Sequence, residues 1–196
     1  MIRLSFCRWL FSVIGVAIIA GSSAAAEHTM EERFAAAVRE IVRLEPSALP
    51  QLPSQIADWM QAEGYAVPQS FCDSLPHNAV SGNLNEDRTL DWAVLCSRAD
   101  TSSVAVFWSG STDSVLMIEP SPDGGWLQTM DGAGAIGYSR MLFIRTPPSL
   151  KYRYKEYDLA LPDWVVHDAV EDYFCEKGSA VLYWRNGKEE RLMGAD

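Results

Sequence analysis

The sequence predicts an α+β fold: N-terminal helices followed by a largely antiparallel β-sheet, a late helix and a C-terminal β-hairpin. Three observations predict it. Apolar residues recur at helical spacing in residues 29–64 and again near residues 163–174. Between these stretches lie short runs rich in Val, Trp, Leu and Ile, divided by Gly, Pro, Asp and Ser. Asn186-Gly187, a strong hairpin signal because both residues tolerate positive φ, separates two strand-like runs near the C-terminus.

The elements follow in order. Arg3 and Arg8 precede an apolar run at residues 9–20 and a small-residue stretch ending in Ala24-Ala25-Ala26. This is the pattern of a secretory signal peptide over residues 1–26, and the apolar run is shorter than the roughly 20 residues of a membrane span. The expectation is an exported chain with no stable membrane anchor after cleavage, periplasmic or secreted, with residues 27–196 as one domain. Thr29-Met30-Glu31-Glu32 fits a capping box, and Phe34, Val38, Ile41 and Val42 form the stripe of the first helix. Ser54 is placed to cap a second helix ending at Gly64. Residues 90–97 and 104–108 read as an antiparallel pair, and residues 115–119, 126–130 and 138–145 as further strands. Pro147-Pro148 reads as a break. Asp163 is expected to cap the late helix, with Val166, Ala169, Val170 and Tyr173 as its buried stripe. Residues 180–185 and 188–193 flank the hairpin turn.

Acidic residues number 26 and basic residues 16, for a formal charge of −10. That balance argues against nucleic acid and against anionic membrane surfaces, both of which are bound through Lys and Arg. In an exported chain Cys72, Cys96 and Cys175 allow one disulfide in three ways. Cys72–Cys96 is the expected pair, since both flank one loop-rich segment. Cys175 has Glu171, Asp172 and Glu176 beside it, a poor setting for a nucleophilic thiolate.

The best candidate site is the run from Asn83 to Asp91. Asn83, Asn85, Asp87 and Asp91 place oxygen side chains at positions 1, 3, 5 and 9, and Thr89 offers a carbonyl at position 7. Hard cations such as Ca²⁺ take six to eight oxygens from such a loop. Residues 83–95 resemble the calcium loop of FG-GAP and VCBS repeats, which leads into an apolar strand. Asn83 stands where that pattern has an Asp, and Arg88 where it has a Gly, so the resemblance implies a weak site, of about 10⁻⁴–10⁻³ M affinity. The alternative is a metal-free turn held by Asn and Asp side chains on their own backbone. The loop occurs once, which does not suit a propeller. Pro76-His77-Asn78, residues 91–97 and residues 183–196 also resemble an uncharacterised family of exported bacterial proteins. That resemblance implies compartment and single-domain architecture, and no chemistry.

Other signals are thinner. Residues 132–137 satisfy G-x-G-x-x-G, but the following segment reads as a strand where a dinucleotide site needs a helix. His167 is expected at the edge of the late helix, paired with Glu171. No G-x-S-x-G elbow, H-E-x-x-H or paired-Cys zinc spacing occurs. Trp126 and Trp164 follow turn residues and are candidate exposed platforms for a sugar or a protein, with Arg140 and His167 as further binding candidates. The reading is an exported non-enzymatic domain that binds a protein or an envelope glycan, with a weak structural calcium loop. The alternative is a small secreted hydrolase using His167 or an acidic residue. A concave pocket joining His167, Arg140 and a carboxylate would favour the hydrolase.

Overall fold

A computed structural model describes residues 29–130 and 134–194. The expected signal peptide, its cleavage site and part of the 132–137 glycine run lie outside the described residues. The first helix, α1 (Met30–Glu40), starts where the capping box places it. Thr29 Oγ1 accepts from the Glu32 amide at 3.2 Å, and the Glu32 carboxylate accepts from the Thr29 amide at 2.9 Å. A short strand, β1 (Arg43–Leu44), and a Pro-initiated turn lead to α2 (Ser54–Ala62). Pro53 is the N-cap residue there, one position ahead of the expected Ser54, while Gly64 takes the left-handed conformation (φ 74°) that closes the helix.

Two four-stranded antiparallel sheets follow. After β2 (Val67–Pro68), which pairs with β1, sheet I is built from β3 (Ala79–Gly82), β4 (Asp91–Arg98), β5 (Thr101–Phe107) and β6 (Val115–Pro122), in that order. A small ribbon, β7 (Leu127–Thr129) with β8 (Ile136–Tyr138), separates it from sheet II. Sheet II contains β9 (Arg140–Arg145), β10 (Ala169–Phe174), β11 (Gly178–Arg185) and β12 (Lys188–Met193), ordered β12-β11-β10-β9, with α3 (Pro147–Glu156) between β9 and β10.

Burial on both faces of each sheet gives a layered arrangement. Ala93, Leu95, Val104 and Val106 of sheet I meet Leu142, Val170, Leu182 and Trp184 of sheet II in the central core. The alternate residues of sheet I, Val94, Cys96, Ala105 and Phe107, pack under Ile56 and Met60 of α2. Those of sheet II, Ala169, Val181 and Tyr183, pack under Leu150 of α3. The layers therefore run α2, sheet I, sheet II, α3, an α+β arrangement with mostly antiparallel sheets. Glu171 of β10 is fully buried and binds α3 to its sheet: its carboxylate accepts from Arg145, Arg153 and Ser179.

The sheets touch along β3 and β9. Asn78, 1% exposed, acts there as a piece of backbone: its Oδ1 accepts from the Leu142 amide at 2.9 Å, and its Nδ2 donates to the carbonyls of Pro68 (2.6 Å) and Arg140 (3.2 Å). At the opposite edges β6 and β12 have, among the described residues, no strand partner beyond their own sheet. A surface ion pair, Arg191 to Glu119 at 2.7 Å, joins them.

Three expectations are corrected. The late helix expected after Asp163 is the strand β10. Its apolar residues match a helical stripe by spacing, but both faces of β10 are covered, so no clean alternation marks it as a strand. The late helix instead begins at Pro147-Pro148. These fill the first turn, where a missing N–H costs nothing, and Thr146 caps it by accepting from the Ser149 amide. The disulfide joins Cys72 to Cys175, and Cys96 is free. Cys96 lies mid-strand in β4 on the side packed under α2, fully buried and donating to the Ser103 carbonyl, so it cannot meet Cys72. Burial pushes its thiol up to about 12.

Candidate functional site

The 83–91 segment connects β3 to β4, and its oxygens are largely taken by its own amides. Asn85 Oδ1 accepts from the Asp87 amide at 2.9 Å, and Asp87 Oδ1 accepts from the Thr89 amide and hydroxyl at 2.8 and 2.6 Å. Those Thr89 bonds hold the Asp87 carboxyl below its usual value. Asp91 is fully buried, with one carboxylate oxygen on the Leu84 amide (2.9 Å) and the other on the Ser109 amide (2.7 Å). Burial raises its carboxyl above the usual range, opposed by these two amides. Among the described residues no group of three or more His, Cys, Asp or Glu is placed to hold a metal ion. The residues therefore fit a self-bonded Asx turn better than a calcium cage. Arg88 adopts a left-handed backbone (φ 63°), which a glycine would take at lower cost.

The start of this loop is clamped to sheet II. The Asn83 amide donates to the Asp168 carboxylate at 3.1 Å, and the Asp168 amide donates to the Asn83 carbonyl at 2.9 Å. Gly82 permits the approach, since a Cβ there would lie 3.0 Å from the Asp168 carboxylate. This clamp brings the loop to His167. The ring of His167 does not sit on a helix beside Glu171, as expected. It lies in the segment before β10, stacked on Tyr183 at 4.1 Å and 9°. Tyr183 also fixes that segment, donating its hydroxyl to the Trp164 carbonyl and accepting from the Val166 amide. Arg185, two residues along the same face of β11, places its guanidinium 5.0 Å from the centre of the Trp164 ring.

Asn83, Glu86, Arg88, Trp164, His167 and Arg185 thus line one cavity of about 540 Å³. Two buried polar atoms there, His167 Nε2 and Asn83 Oδ1, have no hydrogen-bond partner among the described residues. The other ring nitrogen, Nδ1, lies 2.9 Å from the Asp168 carbonyl. A carbonyl can only accept, so Nδ1 carries the hydrogen and Nε2 of the neutral ring is a lone-pair acceptor. Both unpartnered atoms are therefore acceptors.

A second cavity, of about 730 Å³, adjoins the first at Glu86 and Asn186. It opens between the sheets and is lined by Trp108 and Trp184, which meet edge to face at 5.4 Å, with Asn85, Asp87 and Leu116 around them. The Asn186-Gly187 turn, with φ of 52° and 72°, closes the hairpin as expected and stands where the two cavities meet. Together they form a groove around the hairpin tip.

Of the binding candidates, Trp164 and His167 line this groove. Arg140 and Trp126 do not: they occupy a cleft of about 650 Å³ at the other end of β10. In register, Arg140 faces Phe174 and Arg145 faces Ala169, the end nearer His167, so the two sites are about 17 Å apart along the strand. Arg140 is engaged structurally. It holds Asp172 through two bonds of 2.9 and 2.7 Å, donates to Ser102 at 3.2 Å and covers the Trp126 ring at 4.2 Å. The pocket joining His167, Arg140 and a carboxylate does not form. The sequence reading missed Tyr183, Arg185 and Trp108 as groove residues. The one signal for any of this was Arg88 in a glycine position. Comparison with protein-family models, curated proteins and solved structures yields no match.

Proposed function

We propose that this chain is an exported, non-catalytic protein that binds an envelope glycan in the groove around the β11–β12 tip. One observation carries the reading: two residues that line one cavity, His167 and Asn83, each hold a buried acceptor, Nε2 and Oδ1, with no hydrogen-bond partner among the described residues. A buried polar atom without a partner costs roughly 1–3 kcal/mol, so a ligand rich in hydroxyl donors gains by entering. Sugars bring such donors together with apolar C–H faces, and Trp164 and Trp108 supply aromatic surface on either side of the tip. The cavity sizes suit a few sugar units. The Cys72–Cys175 disulfide supports an oxidising compartment.

The hydrolase reading has less support. Glycoside hydrolysis ordinarily uses two carboxylates flanking the bond; of the two that line the groove, Glu86 and Asp87, Asp87 is engaged by the Thr89 amide and hydroxyl. Glu171 is saturated by Arg145, Arg153 and Ser179. The test is titration calorimetry of the purified protein against a panel of neutral and acidic envelope oligosaccharides. The same panel is run on Asn83→Ala and on His167→Phe, which keeps the stack on Tyr183 and removes the acceptor. Binding weakened about tenfold by each substitution supports the reading. If no oligosaccharide binds, or if binding ignores both substitutions, the reading is wrong.

A further inference from the structure

We propose that the His167 cavity recognises a carboxylate-bearing sugar unit, a hexuronate; this rests on the groove being a glycan site. The first argument is charge. Elsewhere in sheet II each arginine meets a carboxylate: Arg140 with Asp172, Arg145 with Glu171, Arg191 with Glu119. The side chains of Arg88 and Arg185 form no ion pair or hydrogen bond with the described residues, and both residues line this one cavity. Glu86 is the single acidic side chain lining it, leaving two cations to one anion on a chain of net charge −10.

The second argument is placement. Arg88 holds its position in a left-handed backbone, a conformation that costs a non-glycine residue energy and concentrates where function demands it. Arg185 is held over Trp164, so its guanidinium is ordered before a ligand arrives. The third argument is hydrogen-bond polarity. A planar guanidinium matches a carboxylate in a two-bond fork, whereas His167 Nε2 and Asn83 Oδ1 require donors. A hexuronate brings both on one ring: a carboxylate for the arginines and hydroxyls for the two acceptors. An acidic peptide brings carboxylates without the hydroxyl pair, and a neutral sugar leaves the arginines unpaired.

The experiment is calorimetry with α-1,4-linked trigalacturonate and β-1,4-linked trimannuronate. Their carboxyl-reduced counterparts and tetraglutamate serve as comparison probes. The wild-type protein is compared with Arg88→Gln and Arg185→Gln, with thermal unfolding as the folding control. The expected result is binding of at least one uronate, about tenfold weaker for its reduced form. Either glutamine variant should lose about tenfold toward the uronate and show little change toward the reduced sugar. Equal affinity for the uronates and their reduced forms overturns the hexuronate assignment and leaves the glycan site standing. Tetraglutamate binding as tightly as the uronates also overturns it, in favour of an acidic peptide. If no saccharide binds a folded protein, both readings fall together.

Discussion

Reduction of the Cys72–Cys175 disulfide tests the fold at its longest covalent tie. The bond spans 103 residues of sequence, and on the chain-entropy model a loop of that length stabilises by about 4.7 kcal/mol. For a protein of this size each kcal/mol moves the midpoint by about 2–4 °C, so the melting temperature should fall by about 9–19 °C on reduction. The assay is thermal unfolding by circular dichroism, with and without dithiothreitol, on the wild type and two single variants. Cys175→Ala should melt at the reduced temperature and ignore dithiothreitol. Cys96→Ala should keep the full response, because Cys96 is buried under α2 and takes no part in the bond. A drop below about 2 °C in the reduced wild type, or peptide mapping that joins Cys72 to Cys96, would refute the reasoning.

Glu171→Gln leaves the guanidinium groups of Arg145 and Arg153 facing a neutral group in a buried site, and should cost about 3–5 kcal/mol by urea unfolding. The pH dependence has a definite sign. Burial raises the Glu171 carboxyl, but bonds from Arg153, Ser179 and Arg145 outweigh it and hold the folded value below the usual range. Its contribution is therefore complete above the ordinary glutamate value and lost as pH falls through the depressed one. Stability-against-pH curves for wild type and Glu171→Gln should converge in acid, and parallel curves would contradict this. Gly82→Ala places a Cβ 3.0 Å from the Asp168 carboxylate, so it should destabilise by about 1–3 kcal/mol and weaken glycan binding; an unchanged melting temperature would show that the clamp is dispensable. Millimolar CaCl₂ against EDTA should move the melting temperature by less than about 1 °C, because Asn85, Asp87 and Asp91 already accept from backbone amides. A calcium-specific rise lost in Asp87→Ala would restore the loop as an ion site.

What the sequence conveyed well was local. The capping box at Thr29, the β4–β5 pair and the Asn186-Gly187 hairpin each depend on neighbouring residues, and each forms where the residues place it. Misreadings came where a tertiary neighbour changes the meaning of a pattern. Val170 and Tyr173 look helical by spacing, yet β10 is covered by α3 on one side and sheet I on the other. Pro147-Pro148 is a break or a helix start depending on whether Thr146 caps it. The groove was hidden for the same reason: Asn83 and His167 are far apart in sequence and meet only through the Asp168 clamp. Cys175 lies 103 residues from Cys72, a separation that no local pattern can pair.

The Asn78 seam makes the two sheets resemble the covers of a book, with β3 and β9 as the spine. The far edges, β6 and β12, bridged at the surface by the Arg191–Glu119 ion pair, stand three strand spacings away, about 14 Å. A rotation of 5° about the spine displaces those edges by only about 1.2 Å, but the displacement is unequal along the groove. The His167 cavity is anchored toward the spine, where Asn83 follows β3 and Asp168 precedes β10, so such a rotation would move that side less. The Trp108–Trp184 cavity reaches toward the fore-edge through the first residues of β6, and such a rotation would move that side more. A sugar chain reaching from one cavity to the other would be gripped at a fixed point and gauged at a variable one. The angle between the covers would then govern how long a chain is held, while the spine governs which sugar is recognised.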